Sequence, residues 1–367
     1  HGKLAAAKAA ITTILDRLIE RDRVALVAFA GAAVVVQRAA YATDEIKEAI
    51  REHLEALVEE AGTNLHAGWL AGCRAISRDA SNVVEGEVAR CFLLTDGKPT
   101  EGVTEASEFT ADATRLWNET GVSTSTFGLG NYDQDLLLSM AVAGSGQFYH
   151  LRSSDDIARA IEGEFGAYTE AVLNRTWLEI EADDGVAVEL VSAYRDEGTG
   201  PMANEMTIAL GDFSCGDTRH VVVKLRFPRF AGRDGFRVRA RLRWQALGQE
   251  QWTGWHATRF SYAPGSACDD EPRDARAVHW VGLHRAYEMQ LEALARYARG
   301  DEQGASASLR QAAGSLLRAA KMDPSLLPHA QEITSFESNL ATMSEEERRE
   351  RRYQLARQSR GQPDIRG

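Results

Sequence analysis

The sequence predicts three successive regions: an α/β domain, a β-sandwich and a small helical domain. Strand-like and helix-like stretches alternate over residues 1–172, which is typical of an α/β domain with a mainly parallel sheet. Over residues 173–265 the apolar period changes from about 3.6 to about 2, and roughly six alternating segments indicate a β-sandwich. Residues 273–360 have helical periodicity, so we expect a helical domain there.

The first region begins with a helix-like stretch and two apolar strands. These strands, at residues 24–29 and 33–37, are separated by Gly31, which suits a hairpin with an antiparallel edge strand. Thr43 is the predicted N-cap of an amphipathic helix. Further predicted strands, each separated from the next by a helix, lie at residues 88–96, 122–130 and 147–151.

The β-rich region contains one strand, Phe236 to Trp244, with an unusual pattern. Apolar residues alternate with arginines, so four guanidinium groups are expected on one face. This row could receive an acidic partner or a phosphate-bearing ligand. The interpretation that we favour is a solvated face paired with carboxylates of nearby strands. The arginines are Arg237, Arg239, Arg241 and Arg243, and the candidate carboxylates are Glu179, Glu181 and Glu189.

Composition restricts the class of function. The chain has 367 residues, with 42 Lys plus Arg against 54 Asp plus Glu, and a formal charge of −12, which disfavours nucleic-acid binding. No apolar run approaches the roughly 18 residues of a membrane span, and we expect a cytoplasmic protein. The four cysteines form no CxxC pair, so we expect reduced and mostly buried thiols instead of a zinc site or disulfides.

Two residues of the first region suggest a metal site. Asp96 ends an apolar strand and is followed by Gly97, so its carboxylate is expected at the carboxyl edge of the sheet, where open α/β sheets bind ligands. Thr63 lies in a loop directly before a helix. Carboxylate and hydroxyl oxygens suit Mg²⁺. Spacing alone leaves open the alternative that Asp96 is a turn residue and Thr63 a helix cap.

Three other polar residues lie close to this predicted site. Asp133 and Asp135 could assist it, but we interpret them as capping residues of the helix that follows. His66 is close to Thr63, and we interpret it as a helix-start residue.

The order of motifs resembles that of a known family. The segments HGKLAAAKAAITTILDRL, DRVALVAFA, AGTNLHAGW, CFLLTDGKPTEG, GVSTSTFGLG and GQFYHL are similar to the von Willebrand factor type A domain of bacterial multidomain proteins, over about residues 1–170. The resemblance implies a Rossmann-like α/β fold. It also implies a metal-ion-dependent adhesion site, in which the threonine and aspartate of the family correspond to Thr63 and Asp96.

The third part of that family's site is an Asp-x-Ser-x-Ser motif after the first strand, usually continued as Ser-Met-x-Gly-x-Lys. His1, Gly2 and Lys3 match the end of this pattern. The resemblance therefore implies a chain that starts just after the metal motif, without the first strand of the sheet and with the remaining ligands upstream of His1. We expect a fragment whose binding of Mg²⁺, or of Mn²⁺ as the alternative ion, depends on that motif and is weak in this chain.

The resemblance implies a protein-interaction module in which Mg²⁺ bridges to a carboxylate of a partner protein. We expect no catalysis, because no nucleophile is paired with a base in the sequence. One alternative is an adaptor subunit of an AAA-type ATPase machine, as in the magnesium-chelatase group; the chain itself has no P-loop motif. A second alternative is a metal-assisted hydrolase that uses Asp96.

Overall fold

The structure is a computed structural model that describes residues 2–76, 89–152, 156, 159–161, 164, 171–192, 194–198, 204–214, 218–229, 235–246 and 249–360. Contacts divide the chain into two compact units. The first consists of His1–Thr176, Leu210–Cys215 and Trp244–Gln251, and the second of Trp177–Ala209, Gly216–Arg243 and Trp252–Gly367. The three-domain division at residues 1–172, 173–265 and 273–360 stays a prediction.

The first unit begins with helix α1 (Gly2–Arg17) and an antiparallel hairpin. Strands β1 (Arg23–Phe29) and β2 (Ala33–Tyr41) pair with register shifts around Leu26, which bend the ribbon. The hairpin that the sequence predicts at this position is therefore confirmed.

A parallel sheet forms the centre of this region. Its strands are β3 (Arg90–Thr95), β4 (Ser123–Leu129) and β5 (Ser145–Leu151), in the order β3-β4-β5. Because all three run in the same direction, their carboxyl ends lie at one edge of the sheet. The α/β fold class of the sequence analysis is confirmed.

The central strand β4 is buried although it is rich in hydroxyl residues, because the hydroxyls of Thr124, Ser125 and Thr126 have partners. Thr126 Oγ1 donates a hydrogen bond to the Leu137 carbonyl oxygen at 2.8 Å, and Ser125 Oγ donates to Glu164 Oε1 at 2.9 Å. Trp69 Nε1 donates to Thr124 Oγ1 at 3.1 Å. Strand β4 thus makes specific polar contacts with the two helices that contain Trp69 and Leu137.

Helices cover the sheet, and their starts follow the sequence signals. Thr43 caps α2 (Asp44–Ala56) by accepting from the Ile46 N–H at 3.4 Å, and Asp133 caps α5 (Gln134–Ala143) by accepting from the Leu136 N–H at 3.0 Å. Helix α3 (Leu65–Ile76) packs against β1, β2 and β3, and α4 (Ala106–Thr120) packs against α5. Fully buried side chains of this core include Trp69, Phe109, Phe127, Leu137 and Met140.

A charged network lies at the amino end of β3. Arg90 donates to Glu164 Oε2 at 2.7 Å and to Asp212 Oδ2 at 2.6 Å. The Arg175 N–H donates to Asp212 Oδ1 at 2.9 Å. The Glu164 carboxylate is only 2% exposed, so Arg90 neutralises a carboxylate that water does not reach.

The β-rich region consists of antiparallel strands. A six-stranded sheet has the order β12-β11-β6-β9-β8, with β13 also paired to β11, and β10 pairs with β7. Packing of these sheets as a sandwich stays a prediction. The strands are β6 (Ala171–Ala182), β7 (Ala187–Leu190), β8 (Arg195–Asp196), β9 (Glu205–Ser214), β10 (Val223–Arg226), β11 (Phe236–Ala246), β12 (Gln249–Trp252) and β13 (His256–Phe260).

The favoured interpretation of the arginine row is confirmed for three of its four arginines. Glu181 accepts from Arg239, and Glu179 accepts from both Arg241 and Arg243 at 2.7 Å. The third candidate carboxylate, Glu189, pairs with Lys224 and Arg226 instead of with the row.

Helices follow the β-rich region, as predicted. Their apolar faces pack into one hydrophobic core, which includes Leu309, Leu316 and Ile333. Ser344 and Glu347 make the capping box that their spacing predicts. In the described part of the chain, no helix has the length and apolar character needed to cross a bilayer. These helices are α6 (Gly265–Asp270), α7 (Ala275–Ala298), α8 (Glu302–Ala319), α9 (Leu327–Asn339) and α10 (Glu345–Gln358), with a 3₁₀ turn at Pro324–Leu326.

Three of the four cysteines lie in the described residues, and all three are free thiols, as predicted. Cys73 and Cys91 are buried, whereas Cys268 is exposed. The hydrogen bond with Cys73 and burial raise the pKa of the Cys91 thiol well above its usual value. Cys215 lies outside the described residues.

We predict that Arg90→Met strongly destabilises the first unit, because it breaks the ion pair of the buried Glu164 carboxylate with Arg90. Breaking a buried ion pair by removing one partner costs about 3–5 kcal/mol in free energy of unfolding. The matched control is Arg115→Met, which removes a pair with Asp112 in which the arginine is 57% exposed and costs at most about 1 kcal/mol. Urea unfolding measures both, and equal losses for the two variants would contradict the prediction.

Candidate functional site

Asp96 follows the last residue of β3, at the edge of the sheet where the parallel strands end. The hydroxyl of Thr95 accepts a hydrogen bond from the Gly97 N–H at 3.3 Å, so it holds the chain in a turn around Asp96. Asp96 itself is exposed. Its carboxylate therefore has access to solvent and to ions.

Thr63 is held beside the same turn by its backbone. Its N–H donates to Thr100 Oγ1 at 3.0 Å, and its carbonyl oxygen accepts from the N–H groups of Thr100 at 3.0 Å and Glu101 at 3.3 Å. Three hydrogen bonds thus join the loop before α3 to the loop after β3. The neighbouring Asn64 N–H donates to the Ala30 carbonyl oxygen at 2.6 Å, which ties the β1–β2 turn to the same cluster.

The Thr63 hydroxyl points to the turn that carries Asp96. Thr63 Oγ1 lies 3.5 Å from the position that a Cβ atom on Gly97 would take. Thr63 is not the cap of α3, which was the alternative interpretation. Instead, Asn64 Oδ1 accepts a hydrogen bond from the Ala67 N–H at 3.2 Å and so caps this helix. The two predicted site residues therefore lie on loops that contact each other.

Glu101 is a site residue that the sequence analysis did not identify. Its carboxylate lies over Gly31 and Gly62. A Cβ atom added to Gly31 would be 2.9 Å from Glu101 Oε2, and a Cβ atom added to Gly62 would be even closer to Glu101 Oε1. Gly62 also has a φ angle of +87°, which favours glycine. The two glycines are visible in the sequence, but their common contact is not, because Glu101 is distant from both along the chain.

The other polar residues near the site have structural roles. His66 is the second residue of α3, as predicted, and its Nε2 is 2.8 Å from Asp112 Oδ2 on α4. Its ring also meets the edge of Phe109 at a centroid distance of 5.0 Å. Asp133 caps α5, as predicted, and Asp135 lies in the first turn of that helix.

The chemistry of these loops fits a hard divalent cation. A hydroxyl, an exposed aspartate and a nearby glutamate are all oxygen donors. Within the described ranges, no group of three or more His, Cys, Asp and Glu side chains converges as a metal cage. A site with few protein oxygens suits Mg²⁺, which keeps several of its waters when it binds to proteins.

Comparison with known proteins identifies the region that carries this site. Residues 1–162 match the model of the von Willebrand factor type A domain family. This part of the chain is a von Willebrand factor type A domain. The resemblance noted in the sequence analysis is therefore confirmed, and so is the Rossmann-like fold that it implies.

Solved structures share the fold well beyond that domain. A von Willebrand factor type A protein from Catenulispora acidiphila is 20% identical with a TM-score of 0.69, and the match covers 88% of this chain and 76% of that one. The ArnB paralog VWA2 from Sulfolobus acidocaldarius is 14% identical with a TM-score of 0.57, covering 98% and 84%. Human COPII-coat protein Sec24c is 12% identical with a TM-score of 0.55, covering 96% and 55%.

A curated relative is the uncharacterized protein YfbK of Escherichia coli. It is 23% identical over 193 residues, which are 52% of this chain and 32% of YfbK. The match thus spans about a third of the length of this relative. At these identities the comparisons establish the fold, while the metal-binding role of Thr63 and Asp96 in the von Willebrand factor type A domain stays a prediction.

We predict that Gly62→Ala destabilises this domain by about 1–2 kcal/mol, because a Cβ atom is unfavourable at a left-handed φ angle and would also displace the Glu101 carboxylate. Gly254→Ala is the control, since a Cβ atom there meets nothing within 4 Å, and it should leave the free energy of unfolding nearly unchanged. Thermal unfolding measures both variants. A Gly62→Ala variant as stable as the parent chain would show that this backbone position is not constrained.

Proposed function

We propose that the von Willebrand factor type A domain of this chain is a metal-dependent protein-interaction module. Thr63 and Asp96 hold Mg²⁺, directly or through water, and the ion binds a carboxylate of a partner protein. The observation that carries the proposal is the set of backbone hydrogen bonds that places the Thr63 hydroxyl against the turn of Asp96. When bound, the ion supplies a positive charge and an open coordination position for the partner's oxygen.

Electrostatics favours an acidic partner over a neutral one. With Asp96 as its one charged ligand, a divalent cation keeps a net positive charge, because the Thr63 hydroxyl is neutral and the Glu101 carboxylate lies over Gly31 and Gly62. A partner carboxylate would complete the neutralisation of the ion. The position at the exposed edge of the sheet leaves room for such a side chain to approach.

This role needs fewer groups than the alternatives. A hydrolase that uses Asp96 would also need a base placed against the attacking water, whereas a recognition site needs only the ion and an open position. An adaptor role beside an AAA-type ATPase is one special case of protein interaction. The proposal therefore assigns the site no catalytic step and leaves the partner defined by its carboxylate.

We predict that Mn²⁺, used as a probe, binds this chain weakly and at Asp96. Asp96→Asn should weaken binding at least about tenfold, which corresponds to about 1.4 kcal/mol, and Thr63→Val should weaken it less because a neutral ligand is lost. Titration by water-proton relaxation enhancement measures the affinity. The control, Asp44→Asn, removes an exposed carboxylate from the first turn of α2 and should not change it.

The same titration tests the open coordination position. Acetate should lower the relaxation enhancement of the bound ion, because a carboxylate replaces a coordinated water, and an equal concentration of chloride should not. The proposed function fails if the parent chain shows no enhancement, or if Asp96→Asn binds Mn²⁺ as the parent does.

A further inference from the structure

Strands β12 and β13, which both pair with β11, are exposed to an unusual degree. All four residues of β12 and all five of β13 are exposed. Three aromatic side chains in or next to these strands are also exposed: Trp252 at 47%, Phe260 at 37% and Tyr262 at 46%. Phe260 and Tyr262 lie close together at the end of β13, and neighbouring exposed aromatic residues are typical of interaction surfaces.

Most of the arginine row beside these strands is held in place by two kinds of contact. The guanidinium carbons of Arg239 and Arg241 lie 4.5 and 4.4 Å from the ring centroid of Trp255, and that of Arg243 lies 4.1 Å from the ring of Trp177. The same three arginines bind the carboxylates of Glu181 and Glu179. These three guanidinium groups are therefore ordered and largely neutralised.

The end of the row is different, because two arginines face each other across the strands. Arg237 on β11 is paired in register with Arg259 on β13, so the two side chains project from the same face. Arg237 is 52% exposed and has only a long ion pair with Asp183 at 3.9 Å. In the residues that the structure describes, Arg259 has no ion pair. Like charges in this arrangement repel each other unless an anion lies between them.

Charge counting gives the same result for this end of the face. It carries two arginines, Arg237 and Arg259, and, in the ion pairs of the described residues, one carboxylate, that of Asp183. The local excess is therefore one positive charge, which contrasts with the formal charge of −12 of the chain.

We propose that this arginine edge, defined as Arg237, Arg259 and strand β13, binds an extended acidic segment of a partner protein. Carboxylates of the segment pair with the two guanidinium groups, and its backbone lies along β13, which is exposed along its whole length. A free phosphate would use only the guanidinium pair, whereas a peptide also uses the strand edge and the exposed aromatic rings. The arginine edge needs no metal ion and is independent of the function proposed for Thr63 and Asp96.

The test uses the full chain and a short fluorescein-labelled peptide of alternating Glu and Val, with fluorescence anisotropy measured in EDTA so that no metal site contributes. We expect binding that weakens with salt, a loss of at least about tenfold in affinity in the double variant Arg237→Gln/Arg259→Gln, and no binding of the Gln-Val analogue. The control Arg310→Gln removes a guanidinium that is 68% exposed on α8 and should bind as the parent does.

Hydrogen exchange separates a peptide edge from a simple anion site. Amide exchange over His256–Phe260 should slow when the acidic peptide is added and should not slow with inorganic phosphate at the same concentration. The proposal is overturned if the double variant binds the peptide as the parent does, if Arg310→Gln weakens binding equally, or if exchange over β13 is unchanged by the peptide.

Discussion

The backbone hydrogen bonds of Thr63 are the constraint on which the account of the candidate site depends. Its N–H and carbonyl groups bind residues of the loop after β3, so the loop before α3 cannot move away from the turn of Asp96 without breaking three hydrogen bonds. The parallel strands and α3 then fix the ends of both loops. This loop contact brings the Thr63 hydroxyl close to the turn of Asp96. The parallel sheet alone would only place the end of β3 and the start of α3 near the same edge.

Features with local causes could be predicted from the sequence. The β1–β2 hairpin, the parallel strands and the helix caps at Thr43, Asp133 and Ser344 depend on neighbours a few residues away, and these signals are present in the sequence itself. The location of Asp96 at the end of β3 followed from an apolar run that ends in Asp-Gly. The family resemblance added the correspondence of Thr63, which spacing alone left open.

Two kinds of feature could not be predicted. One is a local choice between neighbours, since Asn64 and not Thr63 caps α3, although both types of side chain are suitable caps. The other kind has distant causes. Glu101 lies over Gly62 because both loops are folded onto the site. The partners of Arg90, Glu164 and Asp212, are separated from it by 74 and 122 residues, and only the folded chain brings these charges together. The arginine row is an intermediate case, since Glu179 and Glu181 were correctly proposed as partners, whereas Glu189 was not a partner and the excess charge at one end follows from strand pairing.

The central claim is that Thr63 and Asp96 share one divalent cation. Anomalous scattering from crystals of this chain grown with Mn²⁺ tests it most directly, because it locates the ion without reference to any assay. We expect a peak at the carboxyl edge of the sheet, within bonding or one-water distance of both the Thr63 hydroxyl and the Asp96 carboxylate. A peak elsewhere, for example at Asp133 and Asp135, with none at Asp96 would contradict it.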